Sequence, residues 1–126
     1  MELRIKDYAK RAHEEFCVLV QLETQPALDE IERVAAVEGV DGIFIGPADL
    51  HASMGHTGET ANPAVLPLIE DSVRRIRKAG SAPGYLSPVE ADAKKMLAAG
   101  AQFVAVGADV GLLARGAENL LARFRP

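Results

Sequence analysis

Val18-Leu-Val-Gln-Leu-Glu-Thr24, Pro26 to Val37, then Gly39-Val-Asp-Gly-Ile-Phe-Ile45 is the stretch that decides the fold. Its first part is a short apolar run, read as a strand over 17–22. In the middle, Leu28, Ile31, Val34, Ala35 and Val37 recur at helical spacing, and Gly39 ends the helix. Gly42-Ile-Phe-Ile45 is a second strand. A strand, a helix of this length and another apolar strand make a crossover unit, which returns the chain parallel to itself.

The same unit repeats downstream. Asn62-Pro63 has the form of an N-cap with a first-turn proline, and Val65, Leu66, Ile69, Val73 and Ile76 line one helix face up to Gly80. Residues 82–86 are the third strand, and Ser87-Pro-Val-Glu90 reads as a capping box. Val89, Ala93, Met96 and Leu97 are its helix's expected buried stripe, ended by Gly100. Phe103-Val-Ala-Val106 is the fourth strand. Val110, Leu113, Ala114, Ala117, Leu120, Leu121 and Phe124 give the last helix an apolar face. Residues 3–14 precede the series as a short charged helix.

The expected fold is therefore α/β: residues 1–126 form a single domain of four βα units on a parallel sheet, half of an eight-stranded barrel. Such a half exposes two sheet edges and part of its interior.

Composition narrows the function. The chain has 126 residues, a net charge of -4 and no Trp. Residues 1–63 hold 5 basic and 12 acidic side chains, against 9 and 6 in residues 64–126. A basic face interleaved with aromatics is lacking, so no nucleic-acid partner is expected, and Arg74, Arg75, Arg77 and Lys78 read as a solvated helix face. No apolar run approaches the roughly 20 residues of a membrane span, and the opening Met1-Glu-Leu-Arg-Ile-Lys6 lacks a signal-peptide profile, so the cytoplasm is the expected location. Cys17 opens a strand and is expected to be a buried packing residue.

Period-two alternation puts Leu19, Gln21 and Glu23 on one strand face. A strand covered on both sides has no use for polar groups there, so Gln21 and Glu23 point to a ligand. Asp49 stands just past the second strand, close to Glu23 if the strands are adjacent and in register. Two such carboxylates repel unless a cation lies between them. The plainer alternative is that Glu23 caps the helix near Pro26 and Asp49 caps or opens a helical turn in the long loop at 46–61. A hard divalent ion, Mg²⁺ or Mn²⁺ with Co²⁺ tolerated, suits the metal reading. Gly46-Pro47-Ala48-Asp49 adds a candidate substrate-binding element, since the Ala48 and Asp49 amides can point outward as an anion nest. His51 and His56 are five apart, outside the helical metal-ligand spacing, so His51 is expected in solvent or as a secondary contact to the site.

On these motifs, with Val40 to Leu50 and Phe103-Val-Ala-Val-Gly107, the chain resembles the C-terminal half of the HpcH/HpaI aldolase/citrate lyase family, the class II pyruvate aldolases. The resemblance implies a (β/α)8 TIM barrel and reversible cleavage of 4-hydroxy-2-oxo acids to pyruvate and an aldehyde. It implies Glu23 and Asp49 as metal ligands, Gln21 as the polar contact on the substrate side, and the Ala48 and Asp49 amides as the carboxylate site. It also implies a homo-oligomer whose aldehyde pocket draws on a neighbouring subunit, and an arginine and a proton-transferring histidine from the other half. His51 falls where relatives often have serine. Two other readings stand beside it: a citryl- or malyl-type thioester lyase, and a non-catalytic half-barrel acting as an oligomeric structural unit.

Overall fold

A computed structural model describes residues 7–59 and 61–125. Its order is α1 (Tyr8–Glu15), β1 (Leu19–Leu22), α2 (Gln25–Asp29), α3 (Ile31–Ala35), β2 (Gly42–Ile45), α4 (Pro47–Ser53), α5 (Leu66–Lys78), β3 (Ala82–Leu86), α6 (Glu90–Ala99), β4 (Phe103–Ala105) and α7 (Asp109–Ala122). The four strands form one sheet in the order β1-β2-β3-β4, all pairs parallel. That is the half-barrel topology expected. Residues 3–6 of the expected leading helix lie outside the described residues, and its described part runs to Glu15.

Register divides the sheet into rows. Leu22, Ile45 and Tyr85 pair across one face, with Val104 beside Tyr85. Ile43, Ile45 and Tyr85 are almost fully buried together with Ile69, Val73 and Ile76 of α5 and Met96 of α6. Each such aliphatic side chain contributes roughly 1.5–3 kcal/mol by leaving water. The core therefore sits between sheet and helices.

Gln21, Phe44, Gly84 and Phe103 form the alternate row, on the opposite face. Phe44 and Phe103 meet with ring centroids 5.8 Å apart. They do so because Gly84 between them has no side chain: a Cβ there would lie 2.1 Å from Phe103 Cζ. This face is only partly covered, and Leu19 is 48% exposed. It is the concave side of a half-barrel.

Several local expectations shift. The predicted single helix after Pro26 is two short ones, broken at Glu30, where the backbone leaves helical geometry. Asn62 caps a turn rather than α5, its Oδ1 accepting from Ala64 N at 2.8 Å, and α5 begins at Leu66. The capping box does not close: Ser87 Oγ accepts from Val89 N at 3.2 Å, but Glu90 pairs with Lys94 instead of reaching back. Val89 and Leu97 are exposed, while Ala93 and Met96 are buried. Cys17 is exposed, because β1 starts two residues later than expected. The apolar stripe of α7 exists, yet Val110, Leu113 and Phe124 are more than two-thirds exposed. Among the described residues no helix is long and apolar enough to cross a membrane.

Candidate functional site

The acids expected at the strand ends fall on one edge of the sheet. Leu22 pairs with Ile45, and Gly46 N donates to Leu22 O at 3.0 Å, so Glu23 lies beside Gly46 just past both strands. A Cβ on Gly46 would stand 2.6 Å from Gln21 Nε2 and 3.2 Å from Glu23 Cβ. Gln21 and Glu23 thus fold over a residue without a side chain. Gln21 Nε2 donates to Glu23 Oε2 at 2.6 Å. That bond fixes one carboxylate oxygen and leaves the other without a protein partner among the described residues.

Neither acid caps a helix with its side chain. Thr24, not Glu23, caps α2, its Oγ1 accepting from Ala27 N at 3.3 Å. The N-cap of α4 is Gly46, and Asp49 sits in the first turn, exposed, with no side-chain hydrogen bond among the described residues. Neither side chain is therefore a cap, although Asp49 does stand in the opening turn of α4, as the plainer alternative has it. Negative charge in a first turn is favourable to a helix, but it does not require Asp49 to stand on the same edge as Glu23.

The Gly46-Pro47-Ala48-Asp49 turn forms as expected. Gly46 provides no side-chain cap, and the first amide of the turn to find an acceptor is Leu50 N, 3.0 Å from Gly46 O. Pro47 has no N–H to satisfy. The Ala48 and Asp49 amides remain as donors at an exposed position.

His51 follows one of its two expected placements and not the other. It is fully buried, so not in solvent, and its ring bonds the Gly46–Asp49 turn, which is the secondary-contact alternative. Its Nε2 accepts the Asn62 N–H at 3.1 Å, so that nitrogen carries no proton, and Nδ1 donates to Pro47 O at 2.6 Å. The i,i+4 spacing of Pro47 and His51 was the available signal, because on a helix it lays a ring over a first-turn carbonyl. The His51 carbonyl also accepts from His56 N at 2.8 Å, closing the loop that follows α4. Within that loop, the Asn62 side-chain amide holds the Glu59 carboxyl below its ordinary range, with His56 adding to the effect.

A cavity of about 200 Å³ adjoins the turn, its lining including Pro47, Ala48, Ala61, Tyr85, Ser87 and Asp92. Burial, with the neighbouring Asp92 charge, pushes the Tyr85 hydroxyl up to about 12, so it is a neutral wall at physiological pH. His13 and Cys17 take no part in this edge.

The oxygen donors of Glu23 and Asp49 fit a hard divalent cation. Among the described residues no cluster of three or more His, Cys, Asp or Glu side chains gathers as a ready-made metal cage. Two carboxylates with open positions instead leave room for ligand and solvent oxygens, as in sites that bind substrate through the ion.

Fold and site together define half of a parallel α/β barrel with acids and free amides at the C-terminal ends of its strands, where barrel enzymes place their chemistry. The chain belongs to the HpcH/HpaI aldolase/citrate lyase family, whose model matches residues 2–116. It is 54% identical over 121 residues to the 4-hydroxy-2-oxo-heptane-1,7-dioate aldolase of Klebsiella pneumoniae, covering 96% of this chain and 46% of that protein. It is 50% identical over 121 residues to the pyruvate aldolase of Rhizobium etli, covering 96% and 48%. A crystal structure of a family protein from Burkholderia cenocepacia superposes with a TM-score of 0.86 at 37% identity, over 96% of this chain and 47% of that one. The chain spans about half the length of the curated relatives it matches. These relatives are TIM barrels, and this sheet is half of one.

Proposed function

We propose that this chain carries the metal and keto-acid end of a class II pyruvate aldolase site, acting in lyase chemistry on 4-hydroxy-2-oxo acids. Glu23 and Asp49 hold Mg²⁺ or Mn²⁺, with Co²⁺ accepted in their place. When bound, the ion supplies Lewis acidity to the keto oxygen of the substrate. Gln21 orients Glu23 through its 2.6 Å hydrogen bond. The Ala48 and Asp49 amides receive the carboxylate of pyruvate or another 2-oxo acid, and Gly46 and Pro47 shape the turn that presents them. The aldehyde partner, the proton-transfer groups and the homo-oligomer belong to the assembled barrel enzyme.

One observation carries this reading: two acids share a sheet edge, and neither caps the helix that follows it. Titration with Mn²⁺, followed by electron paramagnetic resonance with and without pyruvate, tests it. Saturable binding that pyruvate tightens and that Glu23→Ala or Asp49→Ala removes, with folding retained, is expected. Mn²⁺ binding indifferent to both substitutions sinks it.

A further inference from the structure

His51 is the one buried histidine of the chain's described residues, and its two ring nitrogens join segments on either side of the proposed carboxylate site. Nδ1 holds the carbonyl of Pro47, and Nε2 holds the backbone N–H of Asn62. The Pro47 carbonyl and the Ala48 N–H belong to one planar peptide group and point in opposite directions. A ring that draws the carbonyl inward therefore turns the Ala48 N–H outward. The same ring ties Asn62 to α4, and the His51 carbonyl ties His56, so the loop whose Ala61 walls the adjoining cavity is fastened to the turn at both ends.

We infer that His51 is a positioning residue for the 2-oxo acid: it sets the direction of the Ala48 amide and holds the loop wall beside it, touching neither metal nor substrate. This rests on the function proposed above. His51 acts on the carboxylate end of the site, while Glu23 and Asp49 act on the metal end, so its loss separates two affinities that those acids move together. A residue present only for stability has no reason to make that separation.

Three substitutions divide the roles. His51→Phe keeps a buried ring without nitrogens. His51→Asn keeps a donor near the position of Nδ1, within reach of Pro47 O. His51→Gln places its amide near the position of Nε2 instead. In the folded protein, Mn²⁺ affinity is expected within about twofold of wild type for all three, while pyruvate affinity of the Mn²⁺-loaded protein falls about tenfold in His51→Phe and His51→Gln, the order of loss when one hydrogen bond to a charged group is misaligned. His51→Asn, which keeps that donor, is expected to retain pyruvate affinity within about threefold, less than the value of one hydrogen bond. Should His51→Phe fail to fold, the contrast between Asn and Gln carries the same reading. Unchanged pyruvate affinity in folded His51→Gln overturns the inference, as does an equal loss of Mn²⁺ and pyruvate binding in His51→Asn and His51→Gln. Absence of Mn²⁺ or pyruvate binding by the wild-type protein is a different result: it removes the proposed function itself, and this inference with it.

Discussion

Replacing Gly46 by alanine separates the site from the scaffold. The backbone there, at φ -83° and ψ 98°, suits any L-residue, so no conformational strain arises. The added methyl instead meets Gln21 Nε2 at 2.6 Å and Glu23 Cβ at 3.2 Å. The glutamine amide is the far end of a flexible, exposed side chain, and it clears the methyl by moving on the order of 1 Å. Its 2.6 Å bond to Glu23 does not survive that movement. Losing one solvent-facing hydrogen bond and squeezing Glu23 slightly costs about 1 kcal/mol. A glycine-to-alanine change at a compatible backbone position returns about 0.4–1 kcal/mol by restricting the unfolded chain. The two nearly cancel, so the urea midpoint of Gly46→Ala is expected close to that of wild type.

Metal affinity has no such offset. Glu23 loses the donor that orients it, and second-sphere losses of this kind cost about tenfold or more. Mn²⁺ titration beside a urea melt is the assay, with Gln21→Ala and the double variant completing a cycle. Because both single changes remove one interaction, the double variant is expected to bind Mn²⁺ no more weakly than either single variant. Wild-type Mn²⁺ affinity in Gly46→Ala, or fully additive losses in the double variant, refutes the reasoning.

Gly84→Ala is expected to behave in the opposite way: three ring atoms of Phe103 lie within 2.6 Å of the new methyl, and the whole ring must leave its place against Phe44. Overpacking of this kind costs about 1–3 kcal/mol in a urea melt, and Phe103→Ala in the same chain is expected to absorb most of the loss. Acid titration reads the α3–α5 contact, where Arg75 donates to both Glu32 oxygens at 2.8 and 2.6 Å and holds that carboxyl down from its ordinary 4.5 to about 2. A depressed carboxyl lends stability that is whole above pH 4.5 and lost as pH falls toward 2. Arg75→Met is expected to flatten urea midpoints across that window; an unchanged slope means the exposed pair adds nothing to folding.

How much of this was legible in the sequence depends on whether a signal was local. Strand positions, the αβ glycines and the order of units were readable, because apolar period and turn chemistry act over a few residues: Gly42–Ile45 and Ala82–Leu86 lie where their patterns put them. Helix starts were less so. Asn62-Pro63 has every mark of a helix opening, yet Asn62 Oδ1 accepts from Ala64 N, its Nδ2 donates to Glu59, and α5 waits for Leu66. The burial of Cys17, Val89, Leu97 and the α7 stripe was misjudged for another reason. Apolar periodicity says which face seeks cover, not whether these residues supply it.

The same distinction explains the site. Gln21 and Glu23 were visible because two polar residues break the apolar pattern of a strand expected to be covered, although β1 ends the sheet and leaves Leu19 and Gln21 exposed. His51 was not, since a histidine two positions past an acid in a glycine-rich loop looks solvent-exposed until its two backbone partners, four and eleven residues away, are in place. Only its bond to Pro47 has a helical spacing in the sequence; the bond to Asn62 follows from closure of the loop, a tertiary event with no period. A candidate ligand-binding edge can therefore be read from broken periodicity, while the residue proposed to aim its Ala48 amide emerges only when the Pro47 carbonyl and the Asn62 amide are traced to one ring.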